Sequence, residues 1–177
     1  MPKRRVVITG MGIVSPVGNT ISDAWANLLN GKSGITRITR FDASALASQI
    51  AGEVKDFDIT QYIPVKEARR MDIFIHYGMA AAMQAVKDAG IEDVTNSGID
   101  ADRIGVNIGS GIGGLPMIEK TDAVYHKKGP RKISPFFIPS TIINMIAGNL
   151  SIKYNFRGPN LAIVTACTTS THCIGSS

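Results

Sequence analysis

The sequence predicts an α/β fold, with a mixed, largely parallel sheet and helices on both of its faces. Three apolar, β-branched runs at residues 5–9, 103–108 and 161–165 read as buried strands, and helical patterning separates them. Glycines close the first two runs, at Gly10 and at Gly109-Ser-Gly111-Ile-Gly-Gly114. The third run breaks into small, hydroxyl-rich residues from Thr165 to His172.

The elements follow in order. Arg5 opens the first strand, with β-branched Val6, Val7, Ile8 and Thr9. Residues 22–30 place Trp25, Leu28 and Leu29 on one helical face, with Ser22 as N-cap and Gly31 as stop. Residues 32–65 show weak periodicity and several turn residues, and predict loops and short pieces. From 66 to 89 the pattern predicts one long helix ending at Gly90. Its first turns are basic, and Met71, Ile73, Phe74, Ile75, Met79, Met83 and Val86 then surround the axis, the mark of a buried helix. Residues 115–126 and 140–150 also read as helical. Between them, Pro130, Pro135 and Pro139 predict a rigid loop over 129–139.

Composition fits one cored domain over residues 1–177. Apolar residues make up 44% and aromatics only 6%, so the core must be aliphatic. The charge of +5 favours an acidic partner, but the cations lack a nucleic-acid pattern. They gather at Lys3-Arg4-Arg5, over 66–70 and over 127–132, where a solvated face competes with a docking role. No secretory or membrane-spanning run is present, so the expected setting is cytoplasmic and reducing.

Gly109 to Gly114 matches the G-x-G-x-x-G dinucleotide fingerprint literally. The acidic strand end expected ~20 residues on is missing, because basic residues and a proline stand there. A glycine turn allowing close backbone approach is the competing reading. The two cysteines form C-x5-C, which suits neither a redox pair nor a zinc site. On one helix, Cys173 would point ~240° and His172 ~140° from Cys167. Cys173 therefore reads as a small buried hydrophobe, and His172 as a packing residue rather than a base. His76 reads as structural and His126 as exposed.

Cys167 stands at a strand-to-helix turn. Unpaired N–H groups at a helix mouth favour a thiolate and can hold the oxyanion formed when it attacks a carbonyl. A thioester is the natural target, since thiol exchange makes an acyl-enzyme at little thermodynamic cost. An inert buried cysteine competes with that reading.

Several ordered motifs bear on the choice: residues 4–12 (RRVVITGMG), Gly31-Lys-Ser-Gly-Ile, Lys66-Glu-Ala-Arg-Arg-Met-Asp, GSGIGGL, GPRKISPFF, Gly158-Pro-Asn and Thr165-Ala-Cys-Thr-Thr. In these the chain resembles the N-terminal half of the β-ketoacyl-[acyl-carrier-protein] synthases, and its type II branch in particular. The resemblance implies a thiolase-like fold of two similar α/β halves, of which this chain supplies the first and ends within the nucleophile helix. It implies a decarboxylating Claisen condensation with Cys167 as nucleophile and its N–H in the oxyanion hole. Ile112 matches a residue deep in the acyl pocket, and Phe137 one contributed across a dimer interface. Lys66, Arg69 and Arg70 match a patch that docks acyl- and malonyl-loaded acyl carrier protein. The implied enzyme is a homodimer needing no metal or organic cofactor and binding neither nucleic acid nor membrane. The decarboxylating histidines and lysine would belong to the missing half, so the chain alone is expected to be inactive and poorly soluble. A non-catalytic folding or dimerisation module is the alternative. A degradative thiolase is disfavoured by the SPFF segment and the basic patch.

Overall fold

The computed structural model describes residues 5–96 and 98–177. Lys3 and Arg4 of the first charge cluster lie outside the described residues. The chain divides into two compact units, one of Met1–Asp58 with Ala80–Ala89, the other of Ile59–Met79 with Gly90–Ser177.

In the first unit, α1 spans Ile21–Leu29. Its cap is Thr20, not Ser22: the Thr20 hydroxyl accepts from the Asp23 N–H at 3.2 Å and donates to the Asp23 carboxylate at 2.7 Å. Gly31 follows at φ 66°, a left-handed conformation that glycine adopts without strain. The Trp25, Leu28 and Leu29 face is exposed, and Ala24 is the buried residue of α1. The loop region holds a hairpin that weak periodicity concealed. Strand β1 (Ile35–Arg37) pairs antiparallel with β2 (Ile50–Gly52). Residues 5–9 are not a strand. Val6 and Ile8 are 92% and 84% exposed, and no described strand pairs with them. A β-branched run predicts an extended segment, but a strand also needs a hydrogen-bonded neighbour.

Glu53, beside β2, clasps the loop after β1. The Thr39 hydroxyl donates to its carboxylate at 2.7 Å, and the N–H groups of Thr39 and Arg40 donate at 3.1–3.2 Å. The Thr39 hydroxyl is the main cause that holds this carboxyl below its ordinary 4.5, with those N–H groups and the Arg40 charge adding to it against desolvation. A lowered carboxyl stabilises the fold above its unfolded value, and that contribution is lost as pH falls through the folded value. Glu53→Gln should therefore lower the melting temperature at neutral pH, and the gap to wild type should close on acidification. Melts between about pH 7 and about pH 3 check this. A gap independent of pH would contradict it.

In the second unit the long basic helix is broken in two. Helix α2 covers Val65–Ala68 and α3 covers Ile73–Asp88, whose last turns belong to the first unit. Asp72 explains the break, since its side chain accepts from the Phe74 N–H and starts a new helix. Ile75, Met79, Ala80 and Val86 are buried, and α3 presents nothing fully exposed before Lys87. Burying a side chain such as Ile75 stabilises the fold by ~1.5–3 kcal/mol. Gly78 lets α3 approach Ile146, whose Cδ1 would lie 2.5 Å from an added Cβ.

Strand β3 is Val106–Asn107 and pairs in parallel with β4, Asn160–Leu161. The parallel pairing agrees with the predicted class. Both strands are shorter than the apolar runs around them. Val164 is 48% exposed, so 161–165 is not the buried strand expected. Among the described residues there is no larger sheet, only these two two-stranded ones.

Helix α4 spans Leu115–Lys128 as predicted. The proline-rich stretch is not free of regular structure. It holds a 3-10 turn at Pro130–Lys132 and α5 at Phe137–Thr141. Pro130 and Pro139 sit in first turns, where the missing N–H costs no intrahelical bond. The helix expected at 140–150 is interrupted at Ile142, which is extended, and resumes as α6, Met145–Tyr154. Asn155 then closes α6 in a left-handed conformation, φ 56°. A 3-10 turn at Ala166–Thr168 leads into α7, Thr169–Gly175. Among the described residues no helix is long and apolar enough to cross a membrane.

Candidate active site

Cys167 sits in the middle of the 3-10 turn, before α7 rather than on it. It is exposed and free, whereas Cys173 on α7 is buried and free. Cys173 is thus the small core residue expected. Ala166, the residue before the thiol, has φ 51°. That left-handed region is costly for alanine and persists only where surrounding bonds fix it.

Three threonines do so. The Thr169 hydroxyl, on a residue only 6% exposed, accepts from the Thr165 N–H at 3.0 Å and donates to the Ala166 carbonyl at 2.8 Å. The Thr168 hydroxyl donates to the Thr165 carbonyl at 2.6 Å. The Thr165 hydroxyl meets His172 Nδ1 at 2.6 Å. A strained turn therefore presents an exposed thiol on a hydroxyl-bonded frame.

The glycine loop after β3 lies against this turn. A side chain at Gly109 would collide with the Ile163 carbonyl and the Thr169 methyl, and a Cβ at Gly111 would stand 3.7 Å from the Ala166 carbonyl. This is the close backbone approach that competed with the nucleotide reading. The loop bearing Ile112 is thus brought beside the loop bearing Cys167. Ile112 itself is 74% exposed. Gly113 adopts φ 85°, and the Gly114 N–H donates to the Thr141 carbonyl at 3.0 Å, which fixes the end of α5 to the same loop. Phe137, half-buried, opens α5, and its carbonyl accepts from the Ser140 and Thr141 hydroxyls.

Lys66, Arg69 and Arg70 are exposed around the α2 end. The Arg70 guanidinium stands 4.3 Å from the Phe136 ring centroid, a cation–π contact. Arg69 lines a cleft of about 240 Å³ together with Lys120, Lys132 and Ser134. The basic segment 127–132 thus contributes Lys132 to the same face as Arg69.

The histidines fall as follows. His76 Nε2 meets the Ala68 carbonyl at 2.8 Å, a structural role as expected. His126 is exposed and 3.4 Å from Asp122, its i,i+4 neighbour. His172 is exposed rather than packed, and its Nδ1 is engaged by Thr165.

Sequence reasoning missed Asp72 and Thr169. For Asp72 a signal was present: an aspartate directly before the apolar run from Ile73 is an N-cap pattern. For Thr169 none was, since the stretch holds several threonines and only the fold selects which hydroxyl turns inward.

The sequence profile described as "Beta-ketoacyl synthase, N-terminal domain" matches residues 3–177. The 3-oxoacyl-[acyl-carrier-protein] synthase 2 of Vibrio harveyi is 58% identical over 175 residues, which cover 99% of this chain and 41% of that protein. The synthase 2 of Coxiella burnetii is 57% identical over 176 residues, covering 99% and 42%. This chain therefore spans about two-fifths of the length of the curated relatives it matches. A β-ketoacyl synthase from Burkholderia phymatum superposes with TM-score 0.77 at 25% identity, over 98% of this chain and 42% of that one. A type II polyketide ketosynthase, solved in complex with its acyl-carrier protein, superposes with TM-score 0.78 at 24% identity, over 98% and 46%. This chain thus has the fold of the corresponding part of the thiolase-like ketosynthases. By the match along nearly its whole length, the chain belongs to the β-ketoacyl synthase family and corresponds to that family's N-terminal domain.

Proposed function

We propose that this chain is the nucleophile-bearing part of a 3-oxoacyl-[acyl-carrier-protein] synthase 2, which lengthens acyl chains by two carbons in fatty-acid synthesis. The observation that carries the proposal is an exposed free thiol on a strained, threonine-braced turn in a chain 58% identical to such a synthase.

The chemistry follows from the site. The Cys167 thiolate attacks the thioester carbonyl of an acyl carrier protein. The oxyanion that forms accepts from the Cys167 N–H. Collapse expels the carrier as its thiolate, and the acyl group stays on Cys167 as a new thioester. Malonyl carrier protein then loses CO2, and its α-carbon attacks that thioester. The C–C bond to the departing CO2 breaks, a new C–C bond forms, the bond to sulfur breaks, and Cys167 leaves as the thiolate that began the cycle. By the family resemblance, the groups that drive decarboxylation lie outside this stretch. The acyl chain would extend past Ile112, whose loop adjoins the nucleophile turn, and Phe137 would line the pocket across a homodimer interface.

Lys66, Arg69 and Arg70 would dock the acidic carrier, with the Arg69 cleft and its lysines extending the positive face. The polyketide ketosynthase bound to its carrier protein supports that class of partner. The proposed setting is cytoplasmic, and no cofactor is required by these steps. Val6 and Ile8 in the first unit, and Ile152 and Ile174 in the second, are each at least 79% exposed here, which suits surfaces covered in a larger protein.

Supplying acyl- and malonyl-carrier protein to the intact protein tests the proposal. A 3-oxoacyl product two carbons longer, with one CO2 released per turn, is expected. Acyl transfer without chain extension would overturn it.

A further inference from the structure

We propose that Asp72 is a positioning residue that couples the carrier-docking segment to the acyl-pocket loop. The inference rests on the function proposed above.

Asp72 is 3% exposed. Its Oδ1 accepts from the Phe74 N–H at 3.3 Å, and its Oδ2 accepts from the Met117 N–H at 2.8 Å. Its own N–H donates to the Ser140 carbonyl at 3.3 Å. The carboxylate therefore joins the first turns of α3 and α4, and the main-chain N–H of the same residue ties them to the end of α5. The salt bridges His126–Asp122 and Arg157–Asp102 lie elsewhere. The charge of Asp72 is met by N–H groups of two helix N-termini, where an anion is favoured.

On one side of this junction is the docking segment. Arg70 is two residues upstream, and the bond from His76 Nε2 to the Ala68 carbonyl fastens the link between α2 and α3. On the other side is the glycine loop. A Cβ at Gly114 would meet Asp72 Cβ at 3.2 Å and Thr141 Cα at 2.8 Å, so loop and junction are in contact. Ile112 stands two residues before Gly114. A shift of the Asp72–Met117 bond must therefore move both the arginines and the loop of Ile112, because interiors this tightly packed transmit displacement.

The test compares wild type with Asp72→Asn and Asp72→Ser in the intact protein. Asparagine keeps the shape but sets an N–H2 donor against one of the two N–H groups. Serine can still cap α3 but is too short to reach Met117, so it separates capping from bridging. Two ratios of kcat/KM are read: carrier-bound against small-molecule acyl thioester, and long against short acyl chain. Both are insensitive to a reduced fraction of folded enzyme. In both variants, both ratios are expected to shift by about fivefold or more. Wild-type ratios, or a change in one ratio alone, would overturn the coupling even if melting temperature fell. A wild-type protein that extends no carrier-bound chain would instead overturn the function on which the coupling rests.

Discussion

Replacing Cys167 with serine in the intact protein should lower the condensation rate by at least about a thousandfold, because the attacking group itself is lost. A hydroxyl at neutral pH is almost wholly un-ionised, and the ring contacts of this chain's three histidines go to other residues: His76 to Ala68, His126 to Asp122 and His172 to Thr165. The structure should survive the change. Cys167 is exposed, and the turn is braced by the hydroxyls of Thr165, Thr168 and Thr169, not by the sulfur. The melting temperature should therefore move by no more than an exposed substitution does, ~0.5 kcal/mol in stability. Product formation and thermal melts on the same samples check both halves. A serine variant within tenfold of wild type would remove Cys167 from the mechanism.

Reversing the basic face comes next in size. With Lys66, Arg69 and Arg70 all changed to glutamate, attraction to an acidic carrier becomes repulsion. Each exposed contact counts for ~0.2–1 kcal/mol, and the change of sign doubles it, so three reversals amount to roughly one to four decades in kcat/KM. The loss should fall mainly on KM for carrier-bound substrates. Small-molecule thioesters should react nearly as before. The wild-type advantage should shrink with added salt, as it does for solvent-exposed charges. Arg70→Glu also removes the contact with Phe136, ~0.5–1 kcal/mol, so a slightly lower melting temperature is expected. Kinetics with both substrate types at two salt concentrations check this. Equal losses on both substrate types would exclude docking as the role of the patch.

The candidate nucleophile was legible in sequence because its signal is local: an apolar run, a break into small residues and a thiol. The helix at 115–126 was legible for the same reason, and so was the burial of Cys173. What was not legible depends on partners distant in the chain. The strand-like run at 5–9 has the right residues but no paired neighbour among those described. The basic helix breaks at Asp72 because a carboxylate there serves Met117, 45 residues away. Periodicity cannot register such a bond. Prolines 130 and 139 were read as breakers, yet both fall in first turns, where proline is tolerated. The literal G-x-G-x-x-G match shows the converse. Gly109 and Gly114 are explained by the approach of Ile163, Thr141 and Asp72, a packing requirement that imitates a nucleotide motif.

The most direct measurement is the mass of the peptide containing Cys167 after the intact protein meets acyl carrier protein without malonyl donor. An acyl adduct on that peptide is expected, absent from Cys167→Ser and discharged when malonyl carrier protein is added. An adduct on another residue, or one that forms equally on the serine variant, would contradict the assignment of Cys167 as the acyl acceptor.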